Sequence, residues 1–196
     1  MRLDPNLDSY EKNWRDHYQK HNYDEGIAAW FMKRSHLWAE KKFSNKDYFP
    51  TVLEVGAGTG KHLEYVRHRF DQYILSDLND AILKSSFSKS DAAEKVFFKR
   101  EDATELSLED NSVDRLIAAH VLEHLPNPYL VLREWHRAVK PNGIMTLILP
   151  CDPGMAWRFG RNFGPRSSAR AVGIEYNYWM AREHINAITN LIAFIR

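Results

Sequence analysis

Thr51-Val52-Leu53-Glu54-Val55 followed by Gly56-Ala57-Gly58-Thr59-Gly60 constrains this chain more than any other stretch. β-branched and aliphatic residues with one acid among them suit a central parallel strand covered on both faces. The glycines come where the chain must turn. Without Cβ atoms, Gly56, Gly58 and Gly60 admit positive φ and let a ligand approach the backbone, while Leu63, Val66 and Phe70 continue as a helical stripe. Strand, glycine loop and helix together predict a ligand at the loop.

The glycine spacing separates classes of ligand. A dinucleotide fold sets a pyrophosphate on the helix N-terminus with G-x-G-x-x-G, whereas here Glu54-x-Gly56-x-Gly58-x-Gly60 alternates. This stretch resembles motif I of class I S-adenosylmethionine (SAM) dependent methyltransferases. The resemblance implies that Glu54, Gly56, Ala57, Gly58 and Gly60 pack against the amino-acid part of SAM. A plain glycine-rich turn without ligand is the competing reading.

Downstream segments extend the resemblance. Gln72 to Ser76 reads as a second strand ending at Asp77, seventeen residues past Gly60, at the depth a ribose occupies outside a strand's carboxyl end. Asp77 then accepts the ribose hydroxyl hydrogens beside Leu78, or it caps a helix over Asn79 to Ser86. Lys95 to Lys99 is a third strand. The family likeness puts the adenine amino group on Asp102 and the ring on the Ala103 backbone; a solvated loop acid is the alternative for Asp102. Asn111 to Ala119 makes a fourth strand closing at His120-Val121-Leu122-Glu123-His124. His120 falls near the methyl group as a SAM contact or a general base, with His124 as second candidate base or as a turn-stabilising residue beside Glu123.

Pro126-Asn127-Pro128 opens a helix with Val131, Leu132, Trp135, Ala138 and Val139 on one face, and Lys140-Pro141-Asn142-Gly143 ends it. Ile144 to Leu149 is then a fifth strand. The resemblance runs from about Thr51 to Pro150 and implies an α/β, doubly wound, mainly parallel sheet of order 3-2-1-4-5 with N-terminal helices. The family's closing antiparallel hairpin is not expected within this sequence, which leaves a truncated chain, a shorter sheet, or a partner over the exposed edge, as in a homodimer, as the alternatives.

Outside that core, Leu7 to Phe43 predicts two helices, with a break at Asn22 to Gly26 and an apolar face of Ile27, Trp30, Phe31, Leu37 and Trp38. Cys151 to Met180 scatters aromatics among Arg158, Arg161, Arg166 and Arg170, which suits an acceptor lid with Cys151 as a weak lining residue. Ala181 to Arg196 reads as a helix with a stripe of Ile185, Ile188, Leu191, Ile192 and Ile195. The organisation expected is one structural domain: a helical cap over 1–50, the SAM-binding core over 51–150, and lid plus final helix over 151–196.

Composition narrows the function. Lys and Arg number 27 against 26 Asp and Glu, a net +1 that gives no general pull toward nucleic acid. One cysteine excludes an internal disulfide and a thiolate metal cluster, and fits a reducing cytoplasm. No signal peptide and no apolar run of membrane-spanning length are expected. The resemblance implies methyl transfer to a small-molecule or carrier-linked acceptor, with SAM as cofactor and S-adenosylhomocysteine (SAH) as product. A noncatalytic SAM-binding or scaffold protein and a nucleotide-dependent oxidoreductase are the rivals.

Overall fold

The computed structural model describes residues 26–78, 94–150 and 185–195. The expected first N-terminal helix, the helix Asn79 to Ser86 and the arginine-rich segment Cys151 to Met180 lie outside these residues. The elements are α1 (Gly26–Glu40), β1 (Thr51–Val55), a 3-10 helix (Lys61–Tyr65), β2 (Gln72–Asp77), β3 (Val96–Arg100), β4 (Val113–Ala119), a 3-10 turn (Leu122–His124), α2 (Pro128–Ala138), β5 (Val139–Ile148) and α3 (Ile188–Ile195).

The five strands pair in the order β3-β2-β1-β4-β5, every pair parallel. This is the sheet expected from the sequence. Alternation along the central strands feeds two apolar layers. Leu53, Val55, Leu116 and Ala118 pack with Val131, Leu132, Trp135 and Ala138 of α2 and with Leu191 of α3. Val52, Tyr73, Leu75, Val96 and Ile117 form the other layer with Phe49, Leu63, Val66 and Phe70. A sheet covered on both faces explains the continuous apolar strands.

The described residues fall into two compact units, 26–35 with Ile185, and 36–78, 94–150 and 186–195. In the first, Trp30 meets Phe31 edge-on at 5.0 Å and carries the Arg34 guanidinium 5.5 Å above its ring. The residues of the site described below belong to the second.

Four expectations need correction. The helix after the glycine loop is only the 3-10 helix Lys61–Tyr65, after which Val66 is extended and Arg69 bridges to Tyr48. Residues 66–71 are drawn into backbone pairing with 47–50, through Phe49 N–H to the Arg69 carbonyl and Arg69 N–H to that of Asp47, so no further helical turn forms. Leu63, Val66 and Phe70 still reach the apolar layer. The fifth strand begins at Val139, not Ile144. Val113 pairs with Val139 and Arg115 with Ile144, so Lys140 to Gly143 bulge out where a turn was expected, with Asn142 at φ 66. Asp114 anchors that bulge through Lys140 Nζ at 2.9 Å and receives the Thr51 N–H at 2.9 Å.

The buried stripe of α1 is Met32, His36 and Glu40, whereas Trp30, Phe31 and Trp38 are exposed. A polar stripe is buried because its partners are polar, as described below. The final helix starts at Ile188, and of the expected stripe only Leu191 is buried, while Ile185, Ile192 and Ile195 are exposed.

Candidate functional site

In a parallel sheet all strands end on the same side, and the connections after β1, β2, β3 and β4 carry the sequence-predicted residues there. Gly56, Gly58 and Gly60 have φ of 63°, 54° and 71°. The loop is tied down by Ala57 N–H to the Ser76 carbonyl at 2.8 Å and Gly60 N–H to the Ala57 carbonyl at 2.7 Å. At Gly56 a Cβ would stand 2.5 Å from Val121 Cγ2, so this glycine lets the loop pack against the segment after β4. At Gly58 a Cβ would meet nothing within 4 Å. The loop is closed on one side and open on the other.

Asp77 ends β2 and accepts the Gly58 N–H at 3.0 Å, so acid and open glycine are neighbours. Leu78 beside it is exposed. After β3, Asp102 accepts the Thr104 backbone N–H at 2.8 Å and its hydroxyl at 2.7 Å, and these bonds hold its carboxyl below the usual range. Ala103 is buried, and its carbonyl accepts the Trp135 indole N–H at 2.8 Å, fixing this turn to α2. Glu54 is elsewhere. Its side chain is sealed in the sheet and accepts the Tyr73 hydroxyl at 2.6 Å, with burial pushing both groups up. It supports β1 from within and does not reach the loop surface.

His120 follows β4 with φ 57, a conformation that side-chain-bearing residues seldom adopt, and its N–H bonds the Ile148 carbonyl at 2.9 Å. Its Nδ1 stands 3.4 Å from Glu123 Oε1, and His124 Nε2 stands 3.9 Å from the same oxygen. Burial pulls the Glu123 carboxyl upward, but the bond to His120 and the charges of both histidines outweigh it and leave the group lowered. His120 Nε2 and Glu123 Oε2 are buried without a hydrogen-bond partner. Asn186 secures this turn by donating through Nδ2 to the carbonyls of Leu122 at 3.0 Å and Leu125 at 2.7 Å.

Sequence reasoning missed a polar group behind the glycine loop. Arg115, in the middle of β4, and Glu40, at the end of α1, are both fully buried and form a two-pronged ion pair. Arg115 also reaches Thr146 Oγ1 at 3.1 Å and lies 4.0 Å over the Phe43 ring. Glu40 Oε1 meets His62 Nε2 at 3.0 Å, and His62 Nδ1 meets His36 Nδ1 at 2.8 Å. Burial alone would raise Glu40, yet the bonds from His62 and Arg115 hold it at about 2. Burial, helped by the charges of His62, His120 and Lys61, lowers His36 to about 3. The one sequence signal was an arginine inside an apolar strand, which demands a buried anion.

Open backbone at Gly58, an acid beside it, a second acid turn one strand over and an unpaired imidazole nitrogen after β4 fit an adenosyl group with a reactive end. Residues 53–147 match the family described as Methyltransferase domain. The chain carries a class I S-adenosylmethionine-dependent methyltransferase domain.

Among relatives of this methyltransferase, the hybrid PKS-NRPS synthetase iccA of Talaromyces variabilis is 30% identical over 122 residues, 58% of this chain and 3% of the relative. The demethylmenaquinone methyltransferase of Bacteroides fragilis is 26% identical over 102 residues, 50% of this chain and 42% of the relative. The chain thus spans less than half the length of either. A solved protein of Methanococcus maripaludis, assigned as a SAM-dependent methyltransferase, superposes with a TM-score of 0.63 at 13% identity, covering 99% of this chain and 84% of that one, a likeness of fold. The match of residues 53–147 to the methyltransferase family makes SAM the cofactor of this domain. Among the described residues no group of histidine, cysteine and carboxylate side chains is arranged for a metal, and no helix is long and apolar enough to cross a membrane.

Proposed function

We propose that this methyltransferase modifies a small-molecule or carrier-linked acceptor, holding the adenosyl group along the carboxyl edge of β1, β2 and β3 with the reactive end toward His120. The bond between Gly58 N–H and Asp77 supports this most, since it sets a carboxylate beside the open face of the loop. Bound SAM supplies an electrophilic methyl on its sulfonium, so alignment contributes most of the rate, by effective-molarity arguments about 7 to 11 kcal/mol.

The loop glycines offer backbone to the cofactor's amino-acid end. Asp77 accepts the ribose hydroxyl hydrogens, Leu78 lies beside it, and the turn of Asp102 and Ala103 receives the adenine. Glu54 acts indirectly by fixing β1. Glu123 orients His120 through Nδ1, which leaves the unpartnered Nε2 to take the acceptor's proton. His124 shares the same carboxylate and is the weaker candidate.

Likeness to a polyketide-peptide synthetase and to a quinone methyltransferase supports a metabolite acceptor. A single cysteine supports a cytoplasmic location. The exposed Tyr129, Leu130, Phe194 and Ile195 support a dimer through the neighbouring β5 edge, which sedimentation at rising concentration tests. The function is tested by transfer of labelled methyl from SAM to a panel of amines, phenols and carrier-bound thioesters. Turnover that falls in His120→Ala while SAH affinity holds supports the assignment; SAH binding with no turnover across the panel favours a noncatalytic binder.

A further inference from the structure

The turn that carries Glu123 is held from outside itself. We infer that Asn186, just before α3, is a positioning residue for methyl transfer: by clamping the Leu122–His124 turn it keeps the Glu123 carboxylate inside, against the His120 ring. This rests on the proposed placement of His120 beside the reacting methyl.

The hydrogen bonds of the turn show the dependence. A 3-10 turn of three residues has poor bond geometry and little to hold it together. Its own closures are His124 N–H to the Val121 carbonyl at 2.9 Å and Leu125 N–H to that of Leu122 at 3.4 Å, the second a weak one. Asn186 supplies three more: Nδ2 donates to the carbonyls of Leu122 at 3.0 Å and Leu125 at 2.7 Å, and its backbone N–H to that of Glu123 at 3.1 Å. Two carbonyl oxygens face the amide, so its nitrogen, the side chain's only donor, must point at them. Asn186 is in turn fixed by α3, whose Leu191 is fully buried in one apolar layer with Leu122, Val131 and Leu132.

Release of that clamp acts on Glu123 first. Its side chain is 1% exposed and Oε2 has no partner, so water is the better place for the carboxylate and the path of the turn keeps it in. His120 is placed separately, its backbone N–H held by the Ile148 carbonyl at the end of β5. The glycine loop is also independent, since its ties run to Ser76 and Asp77 of β2. Loss of the Asn186 amide therefore leaves the cofactor loop and the histidine backbone in place and removes the group that orients the ring. Catalysis should suffer where binding does not.

NMR of the His120 ring in the full chain tests this with neither acceptor nor cofactor. Asn186→Ala and Asn186→Asp, which cannot donate from the side chain at neutral pH, should move the ring resonances in the same direction as Glu123→Ala. Asn186→Ala combined with Glu123→Ala should move them no further than Glu123→Ala alone. Val113→Ala, a core truncation at the other end of β4, controls for lost stability and should leave them at their wild-type positions. His120 resonances unmoved by Asn186→Ala, moved equally by Val113→Ala, or shifted additively in the double variant overturn the assignment. With any acceptor that the wild type methylates, Asn186→Ala should lower kcat about tenfold while SAH affinity and the KM for SAM stay within about twofold. Unchanged kcat, or kcat and SAH affinity falling together, overturns it as well. A wild-type chain that binds no SAH, or a His120→Ala variant with full turnover, overturns the reading of the site instead, and the His120 resonances of the Asn186 variants still decide whether the clamp sets Glu123.

Discussion

Glu40 and Arg115, seventy-five residues apart in sequence, pair through both guanidinium nitrogens with neither side chain open to solvent. The pair ties the end of α1 to the middle of β4, and through His62 it reaches the glycine loop. Removing one partner strands the other charge, which costs about 3–5 kcal/mol. Urea denaturation of Glu40→Ala and Arg115→Ala should show losses of that size. Glu40→Met with Arg115→Met together should lose less than either single variant. Additive losses in the double variant would mean that the pair is not coupled.

Acid should weaken the fold through two groups of this cluster. Glu40 sits at about 2 in the native state, so its stabilisation is complete above its ordinary value of 4.5 and is lost as pH falls toward 2. His36 stays neutral down to about 3, while in the unfolded chain it takes up a proton below 6.5. Stability therefore drops as pH falls from 6.5 toward 3, on the order of 5 kcal/mol from this buried imidazole alone. Chemical denaturation between pH 7.5 and 4 should show the decline, reduced in His36→Gln. A wild-type profile flat over that range would contradict it.

Gly56 and Gly58 should respond differently to alanine. Both have positive φ, which for alanine costs about 1–2 kcal/mol. At Gly56 the new Cβ also collides with Val121 Cγ2 at 2.5 Å, so Gly56→Ala should lose more stability, and Val121→Ala in the same chain should recover the part due to collision. Gly58→Ala meets no protein atom within 4 Å and should fold with only the backbone cost, yet its methyl group enters the space proposed for SAM. Thermal unfolding with and without SAH separates the two. A Gly58→Ala protein that SAH stabilises like wild type would remove this face from the site.

Trp135 offers a smaller test of the adenine turn. Its indole N–H bonds the Ala103 carbonyl at 2.8 Å in a fully buried setting, and Trp135→Phe leaves that carbonyl unpaired at about 1–3 kcal/mol. SAH affinity should fall together with stability, and an affinity untouched by the change would separate this turn from the ligand.

Much of this architecture was legible in the sequence because it rests on local signals. The apolar runs of β1, β2 and β4 and the glycines at alternate positions each depend on neighbours a few residues away. The buried polar chain was not legible for the opposite reason. His36 and Glu40 sit among Lys33, Arg34 and Lys41 and look like a solvated face; only Arg115 and His62, brought in by the fold, make that stripe an inner one. The same holds after Tyr65, where pairing of Arg69 with Tyr48 ends a helix that Leu63, Val66 and Phe70 alone would extend. The Lys140 to Gly143 bulge needed the anchor at Asp114, which spacing does not reveal.

Calorimetric titration of SAH and of NAD into wild type and Asp77→Ala most directly tests the claim that the open glycine face and Asp77 hold an adenosyl group. SAH should bind wild type with one site per chain and at least about tenfold more weakly to Asp77→Ala, since a bond to a charged group contributes about 1.5–3 kcal/mol, while NAD gives no heat. Equal SAH affinity in the two proteins, or heat from NAD in place of SAH, would contradict it.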